Sequence, residues 1–198
     1  MANKTSLFNT LKSDFKRKYE ALQKPFPQGI KLVFMMIIFI VGSKGFRSVF
    51  LYRLIKKAGI LRPLLIFIRW LTFSVEIPHT AEIKEGFLIG HPDGVIINGD
   101  CIIGKNFTIQ QEVTLGGNMR KSRNGKTAPI IGDDVFIGPG AKILGPVKIG
   151  DGCIIGANSV VVKDIPDQSL VFGIPGVVVK KVKKTYVEIE KEFSTNLK

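Results

Sequence analysis

The chain holds only two histidines, His79 and His91, and histidine is the side chain best suited to move a proton near neutral pH. His79 follows Pro78 at an expected turn and reads as a surface residue. His91 opens the segment His91-Pro92-Asp93-Gly94-Val95, where a neutral imidazole would serve as a general base. Glu76 stands fifteen residues earlier. A carboxylate beside the ring would fix its tautomer and stabilise the imidazolium formed on proton uptake. A surface His and an unrelated Glu make the plainer reading, and spacing alone does not choose between the two. Two histidines fall short of a three-His zinc site, so no metal is expected.

These residues sit in a sequence with an unusual period. Aliphatic residues recur at every sixth position through Ile77, Ile83, Ile89, then Ile97, Ile103, Ile109, Leu115, then Ile131, Ile137, Ile143, Ile149, Ile155, Val161. Six fits neither a helix nor a lone two-sided strand. It fits a solenoid with one short strand and one turn per repeat, its aliphatic residues stacked inside. Glycine often follows the aliphatic residue, as in Gly104, Gly132 and Gly150, and suits a backbone that turns tightly or takes a positive φ. Cys101 and Cys153 each stand two residues before a repeat aliphatic, where Ala81, Ala141 and Ser159 stand elsewhere. Both therefore read as small packing residues, without disulfide or metal.

The phase breaks twice. Two extra residues fall at His91–Val95, and ten more make a loop from Gly116 to Pro129. Insertions in solenoids map to one face, often the binding face, so function is expected where these two meet. At a separation of fifteen residues, Glu76 is nearly one coil from His91, and stacking could bring them together.

Charge separates the chain into parts. Residues 1–75 carry fourteen of the 29 Lys and Arg but two of the sixteen acids, so they account for +12 of the net +13. Residues 1–74 read as a basic, apolar helical module, with helices over 2–24, 30–42 and 45–73; 75–180 as the solenoid; 181–198 as a charged tail with a short helix from Thr185 to Glu192. A last strand is expected at Val177-Val178-Val179. No groove-reading or base-stacking motif accompanies the positive charge, so nucleic acid is not expected as a partner. Interleaved cations and apolar runs suit either a helical cap or a helix on an anionic membrane surface. The ten-residue run Leu32–Val41 is short of the ~20 residues that span a bilayer. With no export signal apparent, a cytosolic protein is expected, and the basic module leads to the expectation that it is peripheral to the inner face of the membrane.

Val75-Glu76-Ile77, Ile89-Gly90-His91, Val113-Thr114-Leu115-Gly116-Gly117, Ile137-Gly138-Pro139-Gly140-Ala141 and Gly156-Ala157-Asn158-Ser159-Val160-Val161 resemble the hexapeptide-repeat acyltransferases. The likeness is to the serine O-acetyltransferase superfamily, and within it to the O-acetyltransferases of surface polysaccharides such as the colanic-acid type. It implies an all-β left-handed parallel β-helix, here with an N-terminal α-helical module, assembled as homotrimers. It also implies acetyl-CoA as co-substrate in grooves between subunits, near Gly116, Gly117, Asn118, Gly138, Pro139 and Ala157, with His91 as base and Glu76 as the acid that orients it. Lys and Arg of the 120–126 loop could meet the phosphates.

Serine acetyltransferases carry Asp where this chain has Gly90, and Arg-His-Pro where it has Thr127-Ala128-Pro129. Those charges would hold an amino acid. Their absence leads to the expectation of a carbohydrate acceptor, free or lipid-linked, in bacterial surface polysaccharide biosynthesis. A serine O-acetyltransferase and a non-catalytic trimeric scaffold are the alternatives.

Overall fold

Isoleucine and valine repeated at six-residue intervals form three parallel sheets that wrap one core. The computed structural model describes residues 6–22, 24–72, 74–118 and 120–196. The outer residues of the expected 2–24 and 45–73 helices, Met119 of the loop and the end of the tail lie outside them. The first sheet contains β1 (Val75–Glu76), β4 (Val95–Ile97), β7 (Thr114–Gly116), β10 (Lys142–Leu144) and β13 (Val160–Val161). The second contains β2 (Glu82–Ile83), β5 (Ile102–Ile103), β8 (Ile130–Ile131) and β11 (Lys148–Ile149). The third contains β3 (Leu88–Ile89), β6 (Thr108–Ile109), β9 (Phe136–Ile137), β12 (Ile154–Ile155) and β14 (Ser169–Phe172), and is closed by antiparallel β15 (Val177–Lys181).

Register measures the coil. Ile96 pairs with Thr114 and Lys142 with Val160, eighteen residues on in each case. Val75 pairs with Val95, twenty residues on, and Thr114 with Lys142, twenty-eight. The two longer steps are the two insertions, of two and ten residues. Every repeat aliphatic from Ile77 to Val161 is buried, and Cys101 and Cys153 are free, buried thiols in the same core. Burial pushes the Cys101 thiol up to about 12.

The glycines after the aliphatic residues serve close approach. A Cβ on Gly132 would collide with Asp151 Oδ1, and one on Gly104 with Asp133 Oδ1. Those carboxylates form a ladder along one corner: Asp133 accepts from Lys105 N at 2.7 Å and Asp151 from Asp133 N at 2.7 Å. Positive φ falls elsewhere in the repeat, at Asn106, Asp134 and Asn158.

Helices α1 (Leu7–Glu20), α2 (Gly29–Gly42), α3 (Lys44–Lys57) and α4 (Arg62–Thr72) precede the coil, with a 3₁₀ turn at Gly59–Leu61. The helical stretch expected over 45–73, punctuated by Gly59 and Pro63, is two helices, because Gly59 takes φ +49° and Pro63 starts a new first turn. Phe15 is the centre of a cluster with Tyr19, Phe26, Phe39 and Phe46, ring centroids 5.2–5.9 Å away. α3 caps the open end of the coil: Val49 and Tyr52 join the solenoid core, and Tyr52 donates to Ala81 O at 2.8 Å.

The seam between helices and coil is polar and buried. Asp14 pairs with Arg53 at 2.9 Å and also accepts from Gly86 N and Phe87 N, at 2.8 and 2.9 Å. Arg53 in turn donates to Ile83 O and Lys84 O. The C-terminal helix α5 (Tyr186–Asn196) starts one residue later than expected and runs further. It is tied back to the fold through Arg17–Glu190 at 2.7 Å and a Tyr186–Phe136 stack at 3.8 Å.

Candidate active site

The coil order assigns each candidate residue to an edge of the prism. His91 follows β3, Gly138 and Pro139 follow β9, and Ala157 follows β12. All four thus lie on the edge between the third sheet and the first, with the β6 level between that of His91 and that of Gly138 and Pro139. Pro139 O accepts from Asn158 N at 2.8 Å, and a Cβ on Gly138 would come within 2.9 Å of Ala157 N. Gly116, Gly117 and Asn118 follow the core of β7 and lie on the next edge, across the first sheet. One chain does not gather the whole expected set on one edge.

His91 is exposed, on a turn built by its neighbours. Val95 N donates to Pro92 O, Gly94 N to Ser74 O, and Ser74 Oγ to Asp93 Oδ1 at 3.2 Å. Glu112 N donates to Asp93 O from the coil below at 2.9 Å. Glu76 is exposed on β1, because its neighbours Val75 and Ile77 take the inward positions. Among the described residues no hydrogen bond joins Glu76 to His91. Arg69 of α4, anchored by donation to Ile77 O, lies near Glu76 instead; burial pushes its guanidinium below the usual arginine range, and the Glu76 carboxylate offsets part of that. Glu76 and Arg69 line a cleft of about 670 Å³ with Phe67, Trp70, Gly94 and Ile96.

The loop after β7 is a folded flap. Asn118 N donates to Thr127 O at 2.9 Å, Arg123 pairs with Lys126 across a tight turn, and Asp100 accepts from both Thr127 N and Thr127 Oγ1. Arg123 reaches Asp164 at 2.7 Å, so this loop cation has a partner. Asn118, Lys121, Arg123, Leu144 and Lys163 border a cleft of about 390 Å³ beneath the flap.

Sequence reasoning missed Gln110 and Gln111. Gln110 fills the place above Gly90, where an added Cβ would collide with its amide. Gln111 Oε1 is buried without a hydrogen-bond partner. The signal was present: Gln111 follows Ile109 by two residues, as His91 follows Ile89, so the repeat phase puts both on the same edge. Among the described residues no group of three or more His, Cys, Asp or Glu could hold a metal ion.

Residues 128–163 match the family model of bacterial transferase hexapeptides (six repeats). The serine acetyltransferase of Bacillus pumilus is 51% identical over 112 residues, covering 56% of this chain and 51% of that protein. The chain thus matches about half the length of such curated relatives. The soybean serine acetyltransferase complexed with serine is 32% identical with a TM-score of 0.69, covering 86% of this chain and 70% of that one. The Brucella abortus serine acetyltransferase in complex with coenzyme A is 27% identical with a TM-score of 0.73, covering 90% and 69%. The architecture defines a hexapeptide-repeat transferase, a left-handed β-helix with N-terminal helices. The chain belongs to the hexapeptide-repeat acyltransferases of the serine acetyltransferase type.

This overturns two expectations. The likeness to polysaccharide O-acetyltransferases, and with it the carbohydrate acceptor, gives way to relatives at about half identity that are serine acetyltransferases. The physical reason lies at the three positions that suggested an open site. Gln110 occupies the space beside Gly90, Thr127 is hydrogen-bonded to Asp100, and Ala128 is fully buried in the coil core. They are packed and do not widen the site.

Proposed function

We propose that this chain transfers the acetyl group of acetyl-CoA to the hydroxyl of L-serine. The observation that carries the reading is the identity of about half over 112 residues to serine acetyltransferases. Solved relatives of the same fold hold serine or coenzyme A. His91 takes the proton of the serine hydroxyl, and the oxygen attacks the thioester carbonyl. The tetrahedral intermediate collapses, the carbon–sulfur bond breaks, and the imidazolium returns its proton to the departing CoA thiolate. Backbone amides on the Gly138–Ala157 edge stabilise the oxyanion. Glu76 orients the imidazole.

The active assembly is a homotrimer. Supporting this is the split of the candidate residues between two edges, so that a groove with both edges needs a second copy beside the first. The test is release of free thiol from acetyl-CoA by the purified full-length protein, with and without L-serine. Serine-dependent release is expected. Acetyl-CoA binding without serine-dependent release would overturn the acceptor, and no acetyl-CoA binding in calorimetry would overturn the enzyme.

A further inference from the structure

α2 is apolar on two sides. Leu32 and Met36 are buried against the Phe15 cluster. On the other side Ile30, Phe34, Ile37 and Val41 are 55–87% exposed, at intervals of three and four residues that make one stripe. A second exposed set follows on the 3₁₀ turn and α4, including Ile60, Leu64 and Trp70. Scattered exposed apolar residues need no explanation, but continuous stripes mark a surface that meets something.

Charge narrows what that is. From residue 21 to 75 the chain has nine Lys and Arg and no Asp or Glu. Arg53 is committed to Asp14. Lys31 within α2 and Lys44 at the start of α3 are exposed, as are Lys56 and Lys57 at its end. A symmetric contact with a second copy would set one cationic, acid-free face against another. An anionic bilayer offers phosphates to the cations and hydrocarbon to the stripe.

On such a surface a helix of this length would lie in the plane. Among the described residues no helix is long and apolar enough to cross a membrane. The fourteen residues of α2 rise about 21 Å against a hydrocarbon thickness of about 30 Å. α2 and α3 together would suffice in length, but they bend by 106°, and α3 is held on the coil by Tyr52 and by Arg53 donating to Ile83 O and Lys84 O.

We propose that α2 is an in-plane anchor that docks this protein on anionic lipid. The inference rests on the helical module and is independent of the acceptor assignment. The experiment is sedimentation of the full-length protein with vesicles of phosphatidylcholine alone or of phosphatidylcholine with phosphatidylglycerol. Binding to the anionic vesicles is expected, weaker by about tenfold or more on neutral vesicles and in high salt.

Phe34→Glu with Ile37→Glu should abolish vesicle binding, and Lys31→Glu with Lys44→Glu should weaken it while leaving the stripe intact. All four side chains are exposed, and unchanged thermal unfolding shows that the variants fold. Undiminished binding by the Phe34/Ile37 variant would overturn the proposal, as would a wild type that stays in solution with both vesicles. Self-association that this variant removes, in a protein that ignores vesicles, would assign the face to a second copy and equally overturn it.

Discussion

The coil and the helical module bury apolar residues by different rules. In the coil each aliphatic residue stacks on its equivalent one turn away, so the core is one-dimensional and nearly neutral, and its stability is spread over similar levels. In the helical module one aromatic side chain, Phe15, gathers four others, and many large apolar residues remain outside. The lesson is that repetition finishes its own core while the helices do not. The two regions are joined by the buried Asp14–Arg53 pair, whose members hydrogen-bond the coil backbone at Ile83, Lys84, Gly86 and Phe87, by Arg17 donating to Thr108 Oγ1, and by α3, whose Val49 and Tyr52 belong to the coil core.

The largest stability effect is expected at that join. Asp14→Ala leaves Arg53 charged and buried, together with the amides of Gly86 and Phe87 unpaired, and should lose about 3–5 kcal/mol in urea unfolding. Separate unfolding of the helices ahead of the coil would confirm that the pair couples the two regions; a loss below about 1 kcal/mol would show that apolar packing alone joins them.

Within the coil, Ile137→Ala should cost about 2–5 kcal/mol, because the residue is fully buried between the levels of Ile109 and Ile155. If stacking makes levels equivalent, Ile109→Ala should match it within the spread of such substitutions. Gly132→Ala comes next, at about 1–3 kcal/mol, since the methyl meets Asp151 and the following coil must shift. The smallest effect belongs to Arg123→Ala: its pair with Asp164 is exposed, so stability should fall by no more than about 1 kcal/mol.

The six-residue period gave away the solenoid, its inward positions and both insertions before any coordinates, because each level repeats one local interaction. The reason for the glycines was only half legible. Gly104 and Gly132 look like turn residues, and it takes the next coil's aspartate to show that they make room. Asp14 was invisible: an acid among the cations of a basic helix reads as solvated, and its partner lies thirty-nine residues away. The candidate site was legible as residues but not as a constellation. His91, Gly138, Pro139 and Ala157 share an edge that the period predicts, whereas Gly116–Asn118 occupy another, and the placing of Arg69 beside Glu76 in one cleft depends on a helix whose docking no repeat encodes. Acceptor choice was misread because absent charges at positions 90, 127 and 128 were taken for open space, where the structure has packing.

The central claim is that the exposed imidazole on the turn after β3 is the base. Serine-dependent thiol release by His91→Asn, compared with wild type at saturating acetyl-CoA, tests it most directly. His91 is exposed, so the variant should fold and bind acetyl-CoA as wild type does, while kcat falls by about 10²–10⁴-fold. Serine turnover undiminished in His91→Asn would contradict the account.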